Sequence, residues 1–267
     1  MIDVIRQQLR DDMPVDQRVL LVREFMQILT LKILGDRGIF KQLAFIGGTA
    51  LRIIYRVRRF SEDLDFSATR TEGFDISSLN TALVRQFALY GLEMEGKPRI
   101  NGNVHGLMMK FPGILRKLEL DPMVSRKVQI KLEVDLNPPA GWCLANTALT
   151  ETFICNVVHY DLPSLFAGKI HALCYRQYTK GRDIYDLYWY LGQRIVPNWV
   201  LLNNAIYQTQ GTHLHLDAGS FKKFLLERIE RMDIDAARKD VERFLVDKSE
   251  LALFDRKVLR GTIETRL

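Results

Sequence analysis

Leu43-Ala-Phe-Ile46, Gly47-Gly48-Thr49 and Asp63-Leu64-Asp65-Phe66 are the stretch on which the fold turns. The first four residues read as a short buried strand that stops at the glycines. Thr49 to Val57 reads as a helix opening directly behind them, and Phe60 to Phe66 as a second strand. Glycine lets a ligand approach the backbone, and a helix start offers free N–H groups and a positive dipole end that suit phosphate. An ordinary tight strand-to-helix corner has the same sequence. In the second strand Asp63 and Asp65 share one face while Leu64 points to the core. Two carboxylates held that close repel each other, and a divalent cation such as Mg²⁺ relieves the repulsion. A solvated strand face is the alternative, but Asp is a poor strand former.

Working outward, Arg18 to Gly35 carries a broad apolar helical stripe, with Asp16 expected as N-cap and Gly35 as stop. Ile76 to Leu89 reads as another amphipathic helix. Met108 to Pro112 and Val128 to Leu136 read as strands, the latter ended by Asn137-Pro138-Pro139. Within it, Lys131, Glu133 and Asp135 alternate with apolar residues, the pattern of any water-facing edge strand. If this strand lies beside Asp63 and Asp65, it brings a third carboxylate, and three carboxylates with two metal ions are the usual apparatus of nucleotidyl transfer. Downstream the patterns are helical: 164–180, 182–193, 200–207, 220–232 and 235–246. The expectation is an α/β (α+β) fold: a core domain over 1–155, with a small mixed sheet flanked by helices, and a helical domain over 156–267.

Composition narrows the function classes. The chain has 267 residues, 47% hydrophobic and 26% charged, which excludes a disordered chain. The net charge is +6, which permits a polyanionic partner without requiring one. Cys143, Cys155 and Cys174 form no C-x-x-C pair, so neither a disulfide framework nor a cysteine-rich zinc site is expected. Without a signal-peptide core or a membrane-length apolar run, a reduced cytoplasmic protein is expected. Arg56, Arg58 and Arg59 precede the acidic strand, either as a solvated turn or as a guide for RNA phosphates.

Taken together, Phe45-Ile-Gly-Gly-Thr-Ala-Leu-Arg-Ile-Ile-Tyr55 and Arg59-Phe-Ser-Glu-Asp-Leu-Asp-Phe66 closely resemble the signature of AbiEii/MenT-type nucleotidyltransferases, in the DNA polymerase β superfamily. Lys131-Leu-Glu133 resembles that family's middle motif. Leu162-Pro-Ser-Leu-Phe-Ala-Gly-Lys-Ile-His-Ala-Leu173 with Lys180-Gly-Arg-Asp-Ile-Tyr-Asp-Leu187 resembles its downstream motif. The resemblance implies the toxin half of a toxin–antitoxin pair, moving a nucleoside monophosphate from an NTP to an RNA acceptor such as a tRNA 3′ end. It implies Mg²⁺ or Mn²⁺ and an antitoxin partner; the site is expected in the cleft between sheet and helical region, a usual place for ligand pockets. Carried over by residue, Gly47, Gly48 and Thr49 hold the triphosphate, and Asp63, Asp65 and Glu133 bind metal, with Asp135 competing for the third place. Lys169 contacts the triphosphate or the leaving pyrophosphate. Arg182 and Asp183 lie near the nucleotide, Asp183 orienting basic groups, a role Asp186 is placed to share. A small-molecule or protein acceptor, or a non-catalytic nucleotide- or RNA-binding module, are the competing readings.

Overall fold

A computed structural model of the chain describes residues 1–121 and 127–267. In chain order the elements are α1 (Ile2–Gln8), α2 (Val15–Asp36), β1 (Leu43–Ile46), α3 (Gly47–Tyr55), β2 (Leu64–Ala68), α4 (Ile76–Leu89), β3 (Glu95–Asn101), β4 (Val104–Phe111), α5 (Ile114–Lys117), β5 (Val128–Asp135), β6 (Leu144–Leu149) and β7 (Cys155–Tyr160). The remainder is helical: α6 (Leu162–Tyr175), α7 (Gly181–Gly192), α8 (Trp199–Gln210), α9 (Ala218–Ile229), α10 (Ile234–Val241) and α11 (Arg256–Arg266), with short 3-10 turns between.

Among the described residues the strands form one seven-stranded mixed sheet in the order β3-β4-β5-β2-β1-β7-β6. β2 runs antiparallel to β1 and parallel to β5, while β4 is antiparallel to both β3 and β5. Strand β5 shows why one face is core: Val128, Ile130, Leu132 and Val134 are buried, while Gln129 and Lys131 between them are exposed. Val22, Phe25, Met26 and Leu29 of α2 are buried with that core, as are Phe45 and Phe66, whose rings lie 5.3 Å apart.

Several expectations need correction. Helix α2 begins at Val15 behind Pro14, so Asp16 sits in its first turn and is not the cap. Gly35 lies inside the last turn, and the left-handed residue that stops the chain is Gly38, with φ +69°. Strand β3 carries Gly96 and Pro98, which argue against a strand; it forms because it is an edge, where a missing N–H costs little. Strands β6 and β7 were not expected, and β7 begins at Cys155, the last residue of the expected core domain. Helix α4 matches its expected span, and Asp75 caps it by accepting from the Ser77 and Ser78 N–H groups at 3.2 and 2.7 Å.

Backbone contacts divide the chain into two compact units. The first comprises 1–54, 60–137 and 146–159; the second comprises 55–59, 138–145 and 160–267. The first contains most of the sheet. In the second, Phe166 stacks on Tyr190 at 4.1 Å, and helix α7 starts against α10 with no room for a side chain. A Cβ added at Gly181 would fall 1.9 Å from the Ala237 carbonyl oxygen, and the Gly181 N–H donates to Asp240 at 2.9 Å. Among the described residues no helix is long and apolar enough to cross a membrane.

Candidate active site

The first unit gathers the carboxylates. Register places Asp65 of β2 directly beside Glu133 of β5, and Ile46 at the end of β1 opposite Asp65. The chain then turns at Gly47 with φ +77°, and a Cβ there would lie 2.4 Å from Asp65 Oδ2. Gly47 is therefore glycine for two reasons: the backbone conformation, and the Asp65 carboxylate that fills the space of a side chain. Asp135 stands beside Ser67, one pair further along, and its carboxylate accepts from the Asn137 N–H at 2.9 Å. Register thus separates the two candidates for the third carboxylate, setting Glu133 next to Asp65 and giving Asp135 a turn to cap.

Helix α3 holds the glycine corner in place. Arg52 on α3 forms a two-pronged ion pair with Glu24 of α2, at 2.5 and 3.1 Å. The Thr49 hydroxyl, buried in the first turn of α3, donates to the Asp63 carbonyl and lies 2.8 Å from the Ser61 hydroxyl. In this arrangement Thr49 braces the segment that presents Asp63, and its hydroxyl faces protein. Gln27 adds a bond to the Ser61 carbonyl at 3.3 Å, and Arg23 an ion pair to Glu62 at 3.0 Å.

These residues supply hard oxygen donors, the chemistry that suits Mg²⁺ or Mn²⁺, and Gly47 keeps the flank of Asp65 clear of a side chain. Glu133 is engaged by Lys131 at 2.8 Å, and both side chains are partly exposed. Among the described residues no three His, Cys, Asp or Glu side chains converge into a set that could hold a metal ion by themselves.

The second unit gathers the cations. Lys169 of α6 donates to Asp183 at 2.7 Å and to Asp186 at 2.9 Å, two carboxylates one turn apart on α7. Arg176, at the end of α6, pairs with the other oxygen of Asp183 at 2.5 Å. Arg59 meets Asp186 with two parallel bonds of 2.7 and 2.6 Å, both side chains being almost wholly buried. Burial by itself would lower the Lys169 pKa, but attraction to Asp183 and Asp186 outweighs it and raises the ammonium above its ordinary value. Burial would likewise raise Asp183, yet Lys169 and Arg176 hold it below the ordinary carboxylate value. Asp183 is thus held by Lys169 and Arg176, and Asp186 by Lys169 and Arg59. The Arg182 guanidinium lies 4.2 Å from the centre of the Phe244 ring.

Arg59 overturns an expectation. It does not front a solvated or RNA-guiding turn: it is 1% exposed and neutralises Asp186. Of the three arginines only Arg56 and Arg58 remain outward, and Arg58 lies 3.7 Å from Glu250. Asp186 is the residue whose importance the sequence understated, since it binds both Arg59 and Lys169. The signal available was its place one turn beyond Asp183, which puts both carboxylates on the same face of a helix.

No curated protein matches the chain. Two solved structures share its fold. JHP933 from Helicobacter pylori is 18% identical, with a TM-score of 0.53 over 92% of this chain and 91% of that one. A candidate nucleotidyltransferase, also from H. pylori, is 17% identical, with a TM-score of 0.53 over 92% and 93%. The family model described as nucleotidyl transferase AbiEii toxin, type IV toxin–antitoxin system, matches residues 30–258. With most of its length inside that match, the chain belongs to the AbiEii nucleotidyltransferase toxin family.

Proposed function

We propose that this member of the family transfers a nucleoside monophosphate from an NTP to the terminal hydroxyl of an RNA, a tRNA 3′ end first among them, and acts as the toxin opposite a cognate antitoxin. The observation that carries the reading is the register of Asp65 beside Glu133, with Gly47 closed against Asp65. In the reaction the acceptor oxygen forms a bond to the α-phosphorus. The bond from that phosphorus to its bridging oxygen breaks, pyrophosphate leaves with the electron pair, and the hydroxyl proton passes to solvent.

Asp65 and Glu133, neighbours in register, would hold Mg²⁺ or Mn²⁺ with the triphosphate supplying further oxygens, and Asp63 would join them only if it moves toward the ion; when bound, the ion would neutralise the triphosphate and activate the attacking oxygen. The protein's own share is positioning and charge. Gly47 and Gly48, at the start of α3, offer backbone N–H groups to phosphate oxygens. Lys169 and Arg182 take the phosphate-facing roles of the downstream motif, and Asp183 holds the Lys169 ammonium in one orientation. Fixed charge of this kind supplies most of what a protein contributes to phosphoryl transfer.

Each α-³²P-labelled NTP, incubated with Mg²⁺, total tRNA and the protein, tests the reading against an Asp63→Ala/Asp65→Ala control. Label on tRNA only with the intact protein supports it and names the nucleotide. Label on a small molecule or a protein instead would replace the RNA acceptor. NTP left unconsumed beside measurable RNA binding would favour a non-catalytic module.

A further inference from the structure

Exposed cations also line one face of the sheet. Strand alternation puts Lys97 and Arg99 of β3, Val104, Gly106 and Met108 of β4, and Lys131 and Glu133 of β5 on the same surface. Together with their neighbours they line a groove of about 610 Å³. Lys97 and Arg99 are exposed, and among the described residues neither is paired with a carboxylate. Cross-strand register draws one row: Arg99 opposite Gly106, Gly106 opposite Glu133, Glu133 opposite Asp65. The next row sets Lys97 opposite Met108 and Met108 opposite Lys131.

We infer that this groove seats the last few nucleotides of a single-stranded RNA acceptor, with its terminal hydroxyl toward Glu133 and Asp65. The inference rests on the reading that the acceptor is RNA. Charge sets both occupant and direction. At strand spacing, Arg99 lies about 14 Å from the Asp65 strand, the reach of a few nucleotides. Phosphates find Lys97 and Arg99 at the β3 side and are repelled by Glu133 and Asp65 at the other, so the part that reaches the carboxylates is the uncharged hydroxyl end. Gly106 leaves the floor open: a Cβ there would meet nothing closer than 3.8 Å. Met108 and Val104 give bases an adaptable apolar surface. The donor's triphosphate has its own place at the Gly47 corner after β1, four strands away from β3.

The test reads binding without turnover. A 5′-fluorescein-labelled single-stranded RNA with a free 3′ hydroxyl is titrated with the full chain, wild type and K97E/R99E, by anisotropy between about 50 and 200 mM salt. A fluorescent NTP is titrated in parallel. The expected result is RNA binding weakened at least about tenfold, with a salt slope shallower by about 1.4 for two lost phosphate contacts, and NTP binding unchanged. K97Q/R99Q, with its smaller charge change, should give an intermediate loss; both variants are checked for a wild-type circular dichroism spectrum. Unchanged RNA binding, or no RNA binding by the wild type, overturns the inference. A parallel loss of NTP binding would place the donor in the groove instead. Loss of binding to a co-purified antitoxin with RNA binding intact would make the face a protein interface. If groove-dependent RNA binding holds but no label is transferred, the RNA-transfer reading fails while the groove stands. If transfer to RNA proceeds equally well in K97E/R99E, the reverse is true.

Discussion

The protein builds two acidic groups in opposite ways. Asp65 and Glu133 stand side by side on a sheet face, both partly exposed, with Lys131 as a half-exposed partner of the second. Asp183 and Asp186 are buried, and each is met by two cations. Burying a carboxylate is costly unless it is paired, so the second pair had to be matched by the protein itself. The sheet pair stays partly exposed, where a carboxylate does not need a buried counter-charge. Under the proposed function, the exposed pair is the one that meets substrate and the buried pair the one that positions a lysine.

The sharpest way to break this comparison is to unpair the buried group. Arg59→Met should cost about 3–5 kcal/mol, because it leaves Asp186 with Lys169 alone in a dry site. Urea denaturation measures it, and a loss below about 1 kcal/mol would refute the description of that cluster as a matched buried network. Arg59→Met combined with Asp186→Leu should recover a large part of the loss.

On the sheet the effects should be reversed in kind. Asp65→Asn should lower transfer by at least about 10²-fold, the scale seen when one electrostatic group is removed from a transition state. Its unfolding midpoint should change far less than that of Arg59→Met, since Asp65 is partly exposed. A variant that unfolds easily while keeping its rate would erase the distinction between the two pairs.

Gly181→Ala should cost about 1–3 kcal/mol, because the new methyl meets the Ala237 carbonyl and α7 must shift from α10. Lys169 lies on the neighbouring helix, so its contact to Asp183 should loosen as well, and the variant should lose more rate than its stability alone predicts. Thermal unfolding followed by transfer assays at a temperature where it is folded separates the two.

The smallest effect is on pH dependence. Asp183 is held below its ordinary value of 3.8, so its stabilising contribution is complete above that value and is lost as pH falls through the depressed one. Lys169 is raised above its ordinary 10.5, so its contribution is complete below that value and is lost only as pH rises through the raised one. The cluster should therefore be insensitive across the neutral range and fail in acid below about pH 4. Asp183→Asn should flatten the acid limb of a stability–pH curve, and an unchanged limb would show that other carboxylates set it.

What was legible in the sequence was what short spacing dictates. Leu43–Ile46, the glycine corner and Ile76–Leu89 follow from periodicity and turn chemistry within a few residues of each other. The alternation of Lys131, Glu133 and Asp135 set which side chains share a face, because strand geometry has a period of two; Asp63, expected on a strand with Asp65, lies just ahead of β2, which begins at Leu64. Strand β3 was hidden because its glycine and proline read against a strand, and only its edge position in the sheet permits them. The choice of Glu133 over Asp135 as neighbour of Asp65 was also closed to inspection, for parallel register is set by how β2 and β5 pack and not by either strand alone. Arg59 looked like one of three solvated arginines until folding brought it to Asp186, 127 residues away. Local sequence determined which groups exist and which face of an element they occupy; tertiary structure decided which of them are dry. In a dry environment a charge must find its opposite, so the surroundings that folding supplies turned an arginine into a core residue and left two carboxylates facing water.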